Sequence, residues 1–226
     1  MGETVGEGPL APRAAGITPL AFAALLRLVA ARIAGAQDHL SALDRAIGDG
    51  DHGTSMARGW QAAIAAIDAL DGPAGFAALC NAAARGFVNA AGGATGPLYA
   101  TILMRGGAAV KDLETLDLAG LARFFDAACR GLMERGKSAP GDKTMLDAWV
   151  PALAALEAAE RAGAPLADAL RGAASAAEQG ARATREMLAR SGRASRLGAR
   201  SIGHIDPGAA SAALFFRAFA DGMSEA

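Results

Sequence analysis

Residues 44–55 read D-R-A-I-G-D-G-D-H-G-T-S. Asp44, Asp49 and Asp51 crowd into this stretch, threaded with Gly48, Gly50 and Gly53. Carboxylates this close repel one another at neutral pH, and a hard divalent cation removes that cost. Mg²⁺ suits such a set, because it takes a few carboxylate oxygens and leaves its other positions to water and phosphate. Glycine keeps side-chain bulk away and lets the backbone approach a phosphate. A calcium loop of the EF-hand type needs an acidic or amide residue two positions after Asp51 and a glutamate at its twelfth position. Gly53 and Trp60 stand there instead. A helix-capping aspartate explains any one member of the cluster. Three of them among these glycines favour a metal–phosphate site.

Three further stretches have the composition of anion-binding helix starts: His52-Gly53-Thr54-Ser55, Gly92 to Pro97, and Asp206-Pro207-Gly208. A helix N-terminus offers unpaired N–H groups and a partial positive charge. Ordinary capping by Thr or Asp, with Pro in the first turn, is the plain alternative for each. The three glycines around Thr95 exceed what a cap needs. Arg190, Arg193, Arg196 and Arg200 lie on one polar stretch, which reads either as a solvated basic loop or as a phosphate grip. Of the 22 basic residues only Lys111, Lys137 and Lys143 are lysines. Two of these fall within 135–144, which suggests that the ammonium shape is needed there.

The elements that position these residues read as helices. Hydrophobic residues make up 52% of the 226 but aromatics only 5%. The apolar content is thus mostly Ala and Leu, which favours helix over strand. Apolar periodicity and breakers place helices at about 18–34, 38–47, 54–70, 74–90, 98–110, 119–134, from after Asp142 to 162, 165–189 and 206–220. No segment alternates as a strand does, so the chain is all-α. Residues 1–16, rich in Gly, Pro and Ala, read as a disordered tail, with a single domain over 17–226. The Arg190–His204 stretch reads as a long loop, of the kind that often serves as a lid. It has little apolar surface to hold it down, so it is expected to be mobile without an anion.

The net charge of −1 leaves no basic excess for nucleic-acid phosphates. No apolar run is long enough to span a membrane, and the acidic N-terminus does not resemble a secretory signal. Cys80 and Cys129 sit in apolar helical patterns and read as buried thiols in a reducing cytoplasm.

Four motifs in order, G-D-G-D-H-G at 48–53, G-G-A-T-G-P-L-Y at 92–99, G-D-K-T-M-L-D at 141–147 and G-R-A-S-R-L-G-A-R-S-I-G-H-I-D-P-G at 192–208, resemble the nucleotide-binding L subunit of dihydroxyacetone kinases. The resemblance runs from about residue 17 to the C-terminus. It implies an antiparallel barrel of eight helices with ADP or ATP at one end. It implies that Asp44, Asp49 and Asp51 hold two Mg²⁺ ions, and that these aspartates and His52 carry the chemistry. His52, Gly53, Thr54, Ser55, Ala94 and Thr95 match phosphate-contacting residues. Gly136, Met145, Arg193, Asp206, Pro207 and Gly208 match positions around the nucleotide. The family commonly has Ser where Thr95 stands, and Asn where the shorter Ser55 stands.

The implied activity is phosphoryl transfer to dihydroxyacetone or a related ketose held covalently by a histidine of a separate K subunit. His52 and His204 lie in the nucleotide motifs and His39 on a helix, so none looks like that substrate histidine. The implied partners are a K-type substrate-binding subunit and, where ADP stays fixed, a phosphotransferase-system phosphocarrier; a homodimer is compatible with either. The residues leave open whether the nucleotide is fixed ADP or exchanging ATP. They also leave open two other classes: a non-catalytic ADP-sensing regulatory module and a metal-dependent hydrolase. The hydrolase is weakened by the lack of further His or Glu near the aspartates.

Overall fold

A computed structural model describes residues 16–223. The tail expected over 1–16 lies outside them, apart from Gly16. Nine α-helices are present among the described residues: α1 Pro19–Gly35, α2 Gln37–Ile47, α3 His52–Asp68, α4 Phe76–Ala90, α5 Thr95–Ala109, α6 Leu118–Gly136, α7 Leu146–Arg161, α8 Leu166–Ala183 and α9 Pro207–Gly222. Two 3₁₀ segments, Thr184–Glu186 and Arg193–Ser201, lie between α8 and α9. There are no strands among the described residues. Ile17 and Leu116 form a lone antiparallel bridge, with both N–H···O bonds at 2.8 Å, which ties the entry of α1 to the entry of α6.

Local chemistry explains where the helices begin. Thr18 caps α1, its hydroxyl accepting from the Ala21 N–H with Pro19 in the first turn. Asp117 caps α6 and Asp206 caps α9 in the same way. α3 begins at His52 and α5 at Thr95, each a little earlier than the apolar pattern indicates, and neither start has a side-chain cap. α8 stops at Ala183, short of the expected 189. The Thr184 hydroxyl donates to the Ala181 carbonyl and accepts from the Asp206 N–H, so the chain is turned toward α9 at that point.

Packing runs in order around the molecule. α3 packs on α4, α4 on α5, α5 on α6, α6 on α7, α7 on α8 and α8 on α9. α1 packs on both α9 and α3, while α2 lies against α3 and α9. Inside, aromatic side chains from different helices meet edge to face. Phe22 touches Phe76, Phe124 and Phe219; Trp60 touches Phe87 and Tyr99. Each such ring buries enough apolar surface to contribute roughly 1.5–3 kcal/mol. The few aromatics therefore converge on one core, and the alanines let the helices around it approach closely. Cys80 and Cys129 are free, buried thiols in this layer. No single helix among the described residues is long and apolar enough to cross a membrane.

The segment between α8 and α9 differs from the expected loop. It is wound into 3₁₀ turns, and Ala189, Ala194 and Leu197 pack against Ile47 at the end of α2 in a small cluster of their own. The apolar positions were too few and too irregularly spaced in sequence to show a helical face.

Candidate active site

The end of α2 and the start of α3 are joined by four residues, Gly48 to Asp51. The Gly48 N–H closes α2 by donating to the Asp44 carbonyl at 2.5 Å. A side chain at Gly48 would overlap the Asp44 carboxylate, and one at Gly53 would overlap the Gln37 carbonyl and Ser41 of α2. Glycine at these two positions lets the turn fold tightly enough to bring Asp44 beside Asp49 and Asp51. One carboxylate oxygen from each of the three lies within 4.8 Å of the others. Asp44 is nearly buried, whereas Asp49 and Asp51 are exposed. Asp44 also accepts from the His52 N–H at 3.2 Å.

This cluster opens on a cleft of about 620 Å³. Asp44, Asp49, Asp51, His52, Ala94, Thr95, Gly136, Met145, Arg193, Asp206, Pro207 and Gly208 all line it. Gly53, Thr54 and Ser55 do not. Gly53 is buried against α2, Thr54 is exposed and Ser55 is buried beneath Gly92. The N-termini of α3, α5 and α9 thus face one space. At the start of α3 the His52 N–H is taken by Asp44, and the Gly53 and Thr54 N–H groups are left for an anion, as are those at the start of α5. Leu98, Leu132, Met145 and Leu146 supply an apolar wall.

Several lining contacts have no signature in the sequence. The His52 ring meets the Ser211 hydroxyl of α9 at 3.0 Å, Ser211 donates to the Gly208 carbonyl at 3.0 Å, and the Tyr99 hydroxyl lies 3.4 Å from Ser211. Burial pushes the His52 imidazole down to about 4, against the opposing pull of Asp44 and a backbone hydrogen bond to Pro207. His52 is therefore neutral at pH 7. Burial raises the Asp206 carboxyl to about 7, opposed by its hydrogen bond from the Ala209 N–H and by Lys143, and reinforced by Asp147 and Asp44. Arg193 forms an ion pair with Asp49, so its guanidinium sits over the carboxylate cluster.

Three hard carboxylates with oxygens this close fit a small divalent cation, which takes oxygen donors at roughly 2.0–2.1 Å. The three aspartates, the open helix N-termini and the apolar wall are the equipment of a protein that binds a metal-bridged, anionic ligand with an apolar end.

The DAK2 domain family model matches residues 46–221, and the chain belongs to that family. It is 41% identical over 175 residues to the ADP-binding subunit DhaL of the PEP-dependent dihydroxyacetone kinase of Escherichia coli, covering 77% of this chain and 82% of that protein. It is 43% identical over 179 residues to the corresponding subunit of kinase 1 of Listeria innocua, covering 79% and 84%. A D-erythrulose kinase of Mycolicibacterium smegmatis is 39% identical over 194 residues, covering 85% of this chain but only 33% of that longer protein. The dihydroxyacetone kinase of C. freundii, solved with AMP-PNP and Mg²⁺, superposes with a TM-score of 0.69 at 24% identity, covering 98% of this chain and 37% of that one. That last likeness establishes the all-α fold.

Proposed function

We propose that this chain is the ADP- or ATP-binding, phosphoryl-transferring subunit of a dihydroxyacetone or related ketose kinase, acting on substrate held by a separate K-type subunit. The observation that carries this is the meeting of Asp44, Asp49 and Asp51 with the uncapped starts of α3 and α5 around one cleft. Membership of the DAK2 family and the similarity to two DhaL subunits support it. The ring of α1 and α3–α9 is read as the antiparallel eight-helix barrel, and residues 17–226 as one nucleotide-binding domain, working in the cytoplasm.

In this reading the three aspartates hold two Mg²⁺ ions. When bound, the metal supplies positive charge that offsets the charge of the β- and γ-phosphates. The chain's own residues do the rest. First-turn N–H groups at Gly53 and Thr54 of α3 and at Thr95 of α5 receive phosphate oxygens, with Ala94 shaping the turn, while the Ser55 N–H is already given to the Asp51 carbonyl. Neutral His52 donates its one N–H to Ser211, which fixes the ring beside the aspartates without adding a positive charge that would compete with the metal. Arg193 stands where it can take a phosphate oxygen and shield it from water. Gly136, Met145 and the leucines beside them receive the base, while Asp206, Pro207 and Gly208 close the far side. A phosphotransferase-system phosphocarrier is required if the bound ADP is fixed.

The test is reconstitution. The purified chain with ATP, Mg²⁺ and dihydroxyacetone is expected to form no product. Adding a K-type subunit, with a phosphocarrier if ADP does not exchange, is expected to start turnover. Robust turnover by the chain alone refutes the split-subunit reading.

A further inference from the structure

Lys143 has no part in the phosphate chemistry above, yet it is one of the largest fully buried side chains, at 1% exposure. Its Nζ donates to the Thr184 carbonyl at 2.7 Å and to the His204 carbonyl at 2.5 Å. Those two carbonyls mark where the chain leaves α8 and where it returns to α9. The same neck is closed by the Gly203 N–H donating to the Arg185 carbonyl at 2.7 Å and the Asp206 N–H donating to the Thr184 hydroxyl at 2.9 Å. We propose that Lys143 is a positioning residue: its ammonium clasps the two ends of the 184–204 segment and thereby holds Arg193 over the carboxylate cluster.

The residues around Lys143 are arranged to present this one nitrogen. Its φ is 61°, in the left-handed region that non-glycine residues rarely adopt. Asp147, itself buried, holds the turn by accepting from the Gly141 N–H at 2.5 Å and the Thr144 N–H at 2.8 Å. A turn that strains a lysine is kept for what its side chain does. A single ammonium with three donors fits between two carbonyls, whereas a guanidinium is a broad planar fork. That accounts for a lysine in a chain whose basic residues are nearly all arginine. Asp206 and Glu186 face the ammonium and favour its charge, against the burial that lowers its pKa.

The clasp reaches the site through the segment itself. Above the neck, the Ala189 N–H donates to the Ser201 hydroxyl at 3.0 Å and the Arg190 N–H to the Asp142 carbonyl at 3.1 Å. The tip rests on Ile47, immediately before the aspartate turn, and Arg193 pairs with Asp49. Opening the neck frees the arginine that covers the cluster.

The consequence for nucleotide rests on the function proposed above, so wild-type binding of Mg²⁺–ADP is measured first by calorimetry. Absence of binding there counts against that function, and the amide-exchange arm below still judges the clasp. Lys143→Met removes the donors; Lys143→Gly removes them while fitting the left-handed turn freely. Both variants are expected to release Mg²⁺–ADP about tenfold faster with little change in association rate. Amide exchange over 189–203 is expected to quicken, with α4 and α5 unaltered. A Lys143→Gly protein with wild-type release rate and wild-type exchange overturns the proposal, since the lysine would then serve only its turn. If neither variant folds, the wild type decides: the Gly203 and Asp206 amides are expected to exchange far more slowly than those near Arg196. Equal exchange rates at neck and tip overturn the clasp.

Discussion

Replacing Asp51 by Asn is expected to leave stability in chelator nearly unchanged and to destabilise the protein relative to wild type in Mg²⁺–ADP. The Asp51 carboxylate has two like-charged neighbours, Asp44 and Asp49, with oxygens within 4.8 Å. Because it is exposed, the dielectric of water applies, and each pair then repels by about 0.9 kcal/mol. Arg193 is ion-paired with Asp49 and offsets that neighbour, so removing the charge relieves about 0.9 kcal/mol, from Asp44. Some of this is offset, because a carboxylate at the start of α3 is favoured by roughly 0.3–1 kcal/mol. No cap is lost: Asp51 makes no side-chain cap hydrogen bond, and Asn caps as well as Asp. The net is about 0.3 kcal/mol, or roughly 1 °C in melting temperature for a chain of this size. With ligand at one hundred times its Kd, the wild type gains about 2.7 kcal/mol, and the variant, short of a ligand carboxylate, gains little. The two proteins therefore melt together in EDTA and separate in Mg²⁺–ADP. A variant that melts several degrees below wild type in EDTA refutes the balance of charges, and one that retains the full rise with Mg²⁺–ADP refutes the metal assignment.

Arg193→Ala removes a charge-assisted contact of roughly 1.5–3 kcal/mol, so nucleotide affinity is expected to fall by one to two decades, measured by calorimetry at fixed Mg²⁺. Gly53→Ala places a methyl group against the Gln37 carbonyl and Ser41; α2 and α3 are pushed apart, and a drop of about 1–3 kcal/mol in unfolding free energy is expected, together with weaker Mg²⁺ binding. Burial pushes the Cys80 and Cys129 thiols up to about 12. In the native protein at pH 8.5 neither is expected to react with iodoacetamide, and both should react in guanidinium. The folded state holds these protons more tightly than the unfolded one. The stability they contribute is therefore complete below about pH 9 and is lost as pH rises toward 12, a decline that denaturant titrations at pH 9 and 11 measure.

Sequence reached the helices readily, because strong breakers such as Asp71-Gly72-Pro73 and the Thr18-Pro19 cap mark them locally. It also reached the aspartate cluster and the three helix starts that line the cleft, since their residues are neighbours in the chain. What it did not reach depends on distant pairing. His52 meets Ser211 across the fold, and neither residue type signals the other. Lys143 stood out in composition, but its partners are backbone carbonyls, which carry no sequence identity. The 193–201 turns escaped because Ala189, Ala194 and Leu197 find their apolar partner, Ile47, in another element. Ser55 matched a phosphate-contact position, yet its side chain is turned inward beneath Gly92 and its N–H is given to the Asp51 carbonyl.

The central claim is that the three aspartates and the open helix starts form one Mg²⁺-dependent nucleotide site. Calorimetric titration of the purified, nucleotide-stripped chain with ADP, in Mg²⁺ and again in EDTA, tests it most directly. One ADP per chain, bound tightly with Mg²⁺ and at least a hundredfold more weakly without it, is the expected result. No binding under either condition, or equal affinity in EDTA, contradicts the claim.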